Sequence, residues 1–327
     1  MTSVEKPPGT IKTVPEDFIV MEDGRKPIKE TRLSGLLSNN WYTKFLFTKM
    51  GVESERGLRH VADELGVERG LVSVQGRKDA CAVTTQYVVI QGAFRPCFAH
   101  SNMWLWQLGP TSNRLKLGGH EANHFDIVVR TDVSTKPVAQ AMFPNVFGPQ
   151  RFGDLNPAVG KWLLEGDFAA AVELLRGSYN WSRLAVIMRE QSCTATEALL
   201  QPEFRVDLRF LLQQWQSYLF NQLALETTEA QLPLWTIENN WLYSKWWNPY
   251  DLDAEMCYLL HAEGKAPIMR PVWVQAENHQ VDPHPLGWRH RFKLRPGSFA
   301  TVFLGSMYDL KDASRERWPS KRQITAA

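Results

Sequence analysis

The sequence predicts an α+β protein in which one sheet domain is interrupted by a helical segment. Strand-like patterns dominate the first third of the 327-residue chain, whereas residues 156–226 show helical periods. Strand-like sequence returns over residues 292–307. Because the two strand-rich parts flank the helical one, a helical insertion between two parts of one sheet domain is the simplest organisation. A strict βαβ repeat is not evident.

The first strand-rich part combines β-patterns with one amphipathic helix. Strands are predicted at DFIVME, WYTKFLFTKM, LVSV, QYVVI, MWLWQLG and HFDIVVR, which are rich in aromatic and β-branched residues. Between them, residues 53–67 place apolar side chains on one helical face, namely Leu58, Val61, Ala62 and Leu65. Gly66 is a typical end for that helix.

The helical part begins near residue 156. Residues 156–177 predict a helix with an interruption at Gly166, and residues 206–226 predict a long amphipathic helix. Residues 231–286 are rich in Trp, Pro and Asn and show no clear period. The sequence contains neither an internal repeat nor a low-complexity tract.

Composition indicates a globular protein without a strong charge. Hydrophobic residues make up 44% of the chain, and the formal net charge is +2. Any basic surface must therefore be local, and residues 286–327 carry nine Lys or Arg against three Asp or Glu. The four cysteines are scattered, which favours free thiols in a reducing compartment. With no leader-like N-terminus and no apolar run of about 20 residues, we expect a soluble cytoplasmic protein.

The stretch GRKDACAVTTQ, residues 76–86, places a single acidic residue directly after an apolar strand. Asp79 is a turn residue in one interpretation, because Asp favours turns through hydrogen bonds to its own backbone. In the other interpretation it is an active-site carboxylate. The motif by itself does not decide between them.

Several motifs, in order along the chain, resemble the TruD family of tRNA pseudouridine synthases. They are IKTVPEDFIVMED, GRKDACAVTTQ, LKLGGHEANHFDIVVR, FPNVFGPQRFG, WQSYLFNQLALE and LRPGSFATVFL. The resemblance implies a catalytic domain with a central, mostly antiparallel sheet, interrupted by an α-rich insertion (TRUD) domain. The implied domains are residues 1–155 and 286–327 for the catalytic domain and residues 156–285 for the insertion.

The resemblance implies an isomerase that converts uridine to pseudouridine without cofactor or metal. The reaction needs an ionised carboxylate at the junction of sugar and base, and Asp79 stands at the family's catalytic position, as nucleophile or base. A carboxylate removed from water needs a positive partner to stay charged. Lys12 stands where the resemblance places that partner. Lys78 is the other candidate, as charge partner or substrate contact, although neighbours on an extended chain point in opposite directions.

The resemblance also assigns a uridine pocket and two RNA contacts. Asn123 would hydrogen-bond the uracil edge or orient the catalytic carboxylate, and Phe125 would stack on the base. Their i, i+2 spacing puts both on one face of the strand. Phe299 stands where the family places a second aromatic ring. Gln150 and Arg151 are expected in the cleft wall, near the RNA backbone.

We expect the partner to be RNA, most of all tRNA, with uridine 13 as the target. We also expect the protein to be a monomer that binds neither a membrane nor a metal ion. The chain departs from the family pattern at Ala80, Cys81 and Ala122. An RNA-binding or assembly factor without turnover therefore remains an alternative, as does modification of ribosomal or messenger RNA. One stretch contains four potential metal ligands, namely His279, Asp282, His284 and His290, but their spacing fits no zinc motif. Pro283 and Pro285 indicate that this stretch is a loop.

Overall fold

The computed structural model describes residues 6–23, 42–92, 97–116, 118–134, 136–138, 142–153, 157–261 and 265–317. Contacts divide the chain into two compact units. Unit 1 comprises Met1–Ala141 and Gln275–Glu316, and unit 2 comprises Met142–Val274 and Arg317–Ala327. The domain boundaries predicted from the sequence lie at 155/156 and 285/286, and the assignment of the two units to the family's domains stays a prediction.

The helices and strands alternate irregularly along the chain. The described strands are β1 (Pro8–Ile11), β2 (Phe18–Glu22), β3 (Tyr42–Met50), β4 (Val72–Val74), β5 (Val83–Gln91), β6 (Cys97–His100), β7 (Met103–Thr111), β8 (Asn123–Arg130), β9 (Phe143–Pro144), β10 (Gln231–Pro233), β11 (Met269–Pro271), β12 (Trp273–Val274), β13 (Glu277–His284), β14 (Gly287–Leu294) and β15 (Asp309–Asp312). The described α-helices are α1 (Ser54–Leu65), α2 (Ala158–Leu164), α3 (Phe168–Leu175), α4 (Tyr179–Gln191), α5 (Ala195–Leu199), α6 (Arg205–Ala224), α7 (Ala254–Leu260), α8 (Ala300–Gly305) and α9 (Ser314–Arg317).

Unit 1 is built on one large mixed sheet. Its main path runs β13-β14-β8-β2-β5-β3-β7-β6, and β1, β4 and β15 pair alongside it. Among the described strands of this sheet, only β1 with β15 and β2 with β5 pair in parallel. The predicted α+β class with a mostly antiparallel sheet is therefore confirmed.

Helix α1 covers part of this sheet. Its residues Leu58, Val61 and Ala62 are buried and pack in one cluster with Phe45 and Phe47 of β3. Burying a side chain of this size contributes roughly 1.5–3 kcal/mol. The helix ends where the sequence predicts, because the next residue is a glycine with a left-handed backbone that caps the last carbonyls.

Unit 2 is mainly helical, with α6 at its centre. The apolar face of α6 is buried in the largest core cluster of the described residues, through Leu208, Leu211, Leu212, Trp215 and Leu219. The backbones of α2 and α6 approach closely at Gly160, where a Cβ atom would lie 2.4 Å from the Leu211 carbonyl oxygen. The predicted long helix and the predicted break at Gly166 are both confirmed. No helix in the described parts of either unit is long and apolar enough to span a membrane.

Two predictions about the last part of unit 1 are wrong. The strand-like stretch of residues 292–307 is a strand only to Leu294, and the helix α8 follows. Its buried residues Ala300, Phe303 and Leu304 have helical spacing, which the β-branched composition obscured. Of the two prolines expected in a loop, Pro285 lies in the turn between β13 and β14, but Pro283 lies in the strand β13, at the sheet edge, where proline is tolerated.

Candidate active site

Asp79 lies in the loop of residues 75–82 that connects β4 to β5, here called the Asp79 loop. Two side chains from other elements hold the main chain of this loop. Lys49 of β3 donates to the Asp79 carbonyl oxygen at 2.7 Å. Ser54 of α1 donates to the Lys78 carbonyl oxygen at 2.7 Å and accepts from its N–H at 2.8 Å. The loop backbone is therefore held in place, while the Asp79 side chain is 34% exposed and accessible to a ligand.

Lys12 contacts the Asp79 carboxylate. Its ammonium Nζ lies 3.0 Å from Asp79 Oδ2 and 3.2 Å from Asp312 Oδ2, and the side chain is only 4% exposed. Burial acts to lower the pKa of Lys12, but the two carboxylates outweigh it and raise the pKa above its ordinary value. Lys12 also has a left-handed backbone with φ of 57°, an uncommon conformation for a non-glycine residue. The ammonium therefore stays charged beside Asp79.

Asp312 is the second carboxylate that contacts Lys12, and the sequence analysis did not predict it as a site residue. It is the last residue of β15 and aligns with Ile11 in the parallel pairing with β1. Its other oxygen accepts hydrogen bonds from the N–H of Ser314 at 3.0 Å and from the hydroxyl at 2.6 Å. Asp312 thus orients the ammonium, and the sheet brings it there across 300 positions of sequence.

Lys78 points to a different part of the site. Its ammonium lies 2.8 Å from Oε1 of Glu22, whose side chain is fully buried. It also donates to Asn123 Oδ1 at 2.8 Å. Asn123 in turn lies 3.0 Å from His120 through its amide nitrogen. Lys78 therefore links the Asp79 loop to the start of β8.

Phe125 belongs to a cluster of aromatic rings. It lies on the same face of β8 as Asn123, and its half-buried ring stacks on Phe292 of β14 at 5.3 Å with an interplanar angle of 20°. Its ring centre also lies 6.2 Å from that of Phe18, in an edge-to-face arrangement. The ring centre of Phe18 lies 4.6 Å from the Lys12 ammonium. One aromatic ring thus separates Phe125 from the Lys12–Asp79 pair.

Phe299 is the residue that immediately precedes α8. It is half-buried, and its carbonyl oxygen accepts the first amides of that helix, from Val302 and Phe303. Phe303 packs against Phe292 at 4.7 Å, so α8 lies on the aromatic cluster that contains Phe125. The role of Phe299 as a second ring against the base stays a prediction.

Gln150 and Arg151 lie in unit 2. The Arg151 guanidinium donates to Ser217 at 3.1 Å and to Gln213 at 3.2 Å, both on α6. It also lies 5.0 Å from the ring centre of Phe210. Gln150 is exposed. Their contact with RNA stays a prediction.

Lys49 and Glu22 are site residues that the sequence interpretation missed, although a signal was present. Alternate residues of β3 from Thr43 are buried, and Lys49 occupies the last buried position. Glu22 likewise ends the buried alternation of β2. Burial lowers the pKa of Lys49 to about 8, the nearby Asp79 acting against the shift. A charged residue on the inward phase of a strand is costly unless it has a partner, so such positions indicate a polar site.

Together these residues offer a carboxylate beside a buried ammonium, an oriented amide and a stacked aromatic ring. A carboxylate of this kind can attack a sugar carbon or remove a proton from the sugar. The amide can bind the polar edge of a base, and the ring can stack on its face. The arrangement therefore suits chemistry at the bond between a sugar and a base.

Comparisons with known proteins identify the family of the chain. The family model described as tRNA pseudouridine synthase D (TruD) matches residues 1–198. A Thermococcus onnurineus protein named "Probable tRNA pseudouridine synthase D" is 28% identical over 271 residues, 69% of this chain and 63% of that protein. The tRNA pseudouridine synthase D of Aquifex aeolicus is 27% identical over 201 residues, 55% of this chain and 49% of its own length. The matched regions thus span about half to two thirds of these relatives.

A solved structure shows the same fold. The crystal structure of a Methanosarcina mazei protein described as TruD superposes with a TM-score of 0.57, at 20% identity over 94% of each chain. At this identity the likeness supports the fold alone. The family model, by contrast, covers more than half of the 327 residues. The chain therefore belongs to the TruD family, tRNA pseudouridine synthase D.

Proposed function

We propose that this protein is a pseudouridine synthase that acts on tRNA, with uridine 13 as its target, and that uses no cofactor. The observation that carries the proposal is the pair formed by Asp79 and Lys12 at 3.0 Å, next to the aromatic cluster of Phe125. The curated relatives named above carry the name of a tRNA pseudouridine synthase, which supports tRNA as the substrate class.

The reaction is an isomerisation in which no atom is gained or lost overall. The bond between uracil N1 and the sugar C1′ breaks, the base turns, and a bond forms between uracil C5 and C1′. The hydrogen on C5 leaves, and N1 gains one. Asp79 acts at the sugar, as nucleophile at C1′ or as base, and Lys12 is the charge partner of its carboxylate. No step requires an oxidant or a second substrate.

The uridine must leave its base stack to reach Asp79, which costs a few kcal/mol. Stacking on an aromatic ring returns roughly 1–3 kcal/mol per base. Phe125 is half-buried and held by Phe292, so its ring is rigid enough to serve as the platform. In this proposal Asn123 reads the uracil edge, and Phe299 contributes a second ring.

Substitution of the carboxylate tests the proposal directly. Asp79→Asn keeps the shape of the side chain but removes its charge, so purified variant should form no pseudouridine in a tRNA transcript and should still bind it. Asp63→Asn on the exposed face of α1 is the matched control and should convert at the wild-type rate. Pseudouridine is mapped by chemical labelling and primer extension, which also reports the position.

Each other outcome has a definite meaning. Activity in Asp79→Asn would show that the mechanism is wrong. Wild-type protein that binds tRNA without converting any uridine would instead support an RNA-binding factor without turnover. Conversion at a position other than 13, or only in ribosomal or messenger RNA, would retain the chemistry and change the target.

A further inference from the structure

The side-chain amide of Asn123 is held at both ends. Lys78 Nζ lies 2.8 Å from Asn123 Oδ1, and Asn123 Nδ2 lies 3.0 Å from His120 Nε2. An ammonium only donates hydrogen bonds, so the amide atom that faces Lys78 must be the oxygen. The amide nitrogen consequently faces His120. The charge of Lys78 thus assigns the orientation of Asn123.

This orientation fixes the hydrogen on the His120 ring. The amide nitrogen donates, so His120 Nε2 must accept, and a neutral imidazole that accepts at Nε2 carries its hydrogen at Nδ1. Nδ1 is buried and has no hydrogen-bond partner among the described residues. A charged imidazolium carries hydrogen on both ring nitrogens, so its Nε2–H would face the amide N–H of Asn123, donor against donor. Only neutral His120 therefore supports the arrangement.

The surroundings of His120 favour that neutral form. Burial is the main cause that lowers its pKa, and the neighbouring Lys78 ammonium acts in the same direction. Glu22 acts against both, but its carboxylate is paired with Lys78 at 2.8 Å. These two groups, from the Asp79 loop and from β2, are the charges that act on the ring in the described residues.

We propose that His120 is a positioning residue that, together with Lys78, locks the Asn123 amide in the orientation that pairs with uracil. The inference rests on the proposed function. In the locked amide, the second lone pair of the oxygen accepts from uracil N3–H, and the second N–H donates to a neighbouring uracil carbonyl oxygen. Cytosine presents an acceptor at N3 and an amino group at C4, so it meets acceptor with acceptor and donor with donor. Without the His120 acceptor only the Lys78 contact holds the amide, which can then turn away from Lys78 and present the inverted edge that cytosine accepts.

Ring-nitrogen NMR tests the lock without any catalysis. Protein labelled with ¹⁵N at histidine is measured in the absence of RNA, and the signal lost in His120→Gln identifies His120 among the eight histidines. We expect the neutral tautomer with hydrogen on Nδ1 at pH 7.5. A neutral ring with hydrogen on Nε2, or a charged ring at that pH, would overturn the proposal even if the protein is an active enzyme.

Turnover as a function of pH tests the consequence. His120→Leu removes the acceptor, and we expect its single-turnover rate on the tRNA transcript to be about 3- to 10-fold below wild type at pH 7.5, the effect of one lost hydrogen bond. His120→Gln keeps an acceptor that does not titrate, so it should stay near the wild-type rate. Because the His120 pKa is lowered, the wild-type rate should fall relative to that of His120→Gln only as the pH drops below about 6.5. Both variants are checked by thermal melting.

Two results would contradict this role. Equal rates for wild type and His120→Leu across the whole pH range would show that the lock contributes nothing to turnover. Equal pH profiles for wild type and His120→Gln would show that His120 does not titrate in the site. Wild-type protein without turnover would refute the proposed function instead, and the NMR measurement would still decide the lock.

A competitor RNA tests the discrimination. The competitor is the same transcript with cytidine in place of the uridine that the wild-type protein converts. We expect it to inhibit His120→Leu about 3- to 10-fold more strongly, relative to the uridine transcript, than it inhibits wild type. If the cytidine transcript inhibits His120→Leu and wild type equally, relative to the uridine transcript, the contact with His120 does not contribute to discrimination against cytosine. This part of the proposal would then be wrong.

Discussion

At the scale of single residues, two of the ammonium groups in the site contact different functional side chains. Lys12 forms an ion pair with the Asp79 carboxylate, and Lys78 donates a hydrogen bond to the side-chain amide of Asn123. Each of the two ammonium groups also contacts a further side chain, which is the carboxylate of Asp312 for Lys12 and of Glu22 for Lys78. A buried charge without a partner is expensive, so these carboxylates offset part of the cost of placing the two cations in the site.

Removal of the Lys12 charge should therefore affect both stability and turnover. In Lys12→Met, Asp79 and Asp312 lose their cation, and we expect a loss of about 2 kcal/mol in the free energy of unfolding, less than for a fully buried pair because Asp79 is partly exposed. Turnover on tRNA should fall more than 10-fold, since the carboxylate loses the cation that contacts it at 3.0 Å. Urea unfolding and single-turnover assays measure the two effects.

The second variant of that experiment separates the two carboxylates. In Lys12→Met with Asp312→Asn, one of the two unpaired charges is gone, so part of the stability should return while turnover stays low. Full recovery of turnover in the double variant would contradict the assignment of Lys12 as the charge partner of Asp79.

The residue scale also shows what the sequence could not provide. The predicted contact of Lys12 with Asp79 is present, because motif resemblance carries information about distant positions. Asp312 contacts Lys12 through a strand pairing that no local pattern encodes. Lys49 was visible as a cation on the inward phase of β3, yet its partners are backbone carbonyls, which have no sequence signature.

At the scale of elements, the Asp79 loop depends on neighbours that belong to other elements. β3 supplies the Lys49 side chain and α1 supplies Ser54, so the loop is held from two sides. β8 supplies Asn123 and Phe125 on one face, and α8 packs on the aromatic cluster. The strands and helices around the loop thus act as a rigid frame for a short segment that carries the carboxylate.

Ser54→Ala tests this frame. The substitution removes both hydrogen bonds to the Lys78 backbone, so the loop should lose about 1–2 kcal/mol of local support. We expect turnover to fall several-fold while the dissociation constant for tRNA changes less than 2-fold, because the RNA backbone dominates affinity. The exposed Ser101→Ala is the control and should leave both quantities unchanged. Equal losses in binding and turnover would contradict a role confined to the loop.

Elements were predictable where their period was long and clean. α1 and α6 follow the helical spacing of their apolar residues, and the structure confirms both. α8 has only six residues and is rich in Thr, Val and Phe, so composition indicated a strand and too few turns were present to correct it. Proline in β13 hid a strand that the edge of the sheet permits.

At the scale of the whole molecule, the sheet of unit 1 joins the two ends of the chain. β1 pairs with β15 and β8, and β14 pairs with β8, so segments before and after unit 2 form one surface. The sequence predicted this discontinuous organisation in outline, since strand-like patterns flank the helical part. It could not provide the register, which decides that Asn123 aligns with Glu22 and Leu294.

The same sheet makes the stability of unit 1 sensitive to acid through His290. This residue of β14 is fully buried, hydrogen-bonds the Tyr308 hydroxyl at 2.8 Å and contacts His279 at 3.0 Å. Burial, and then the nearby His279, lower the pKa of His290 to about 3. The ordinary histidine pKa is about 6.5, so between these values the unfolded chain binds a proton that the folded protein does not.

Stability must therefore fall as the pH drops below about 6.5, by up to about 1.4 kcal/mol per pH unit from this group alone, and the contribution is fully present above that pH. His290→Gln removes the titration, so its free energy of unfolding should be lower at pH 7 but should decline less steeply towards pH 4. Urea unfolding across this range measures the slopes, and parallel slopes for wild type and His290→Gln would show that other groups control the acid response.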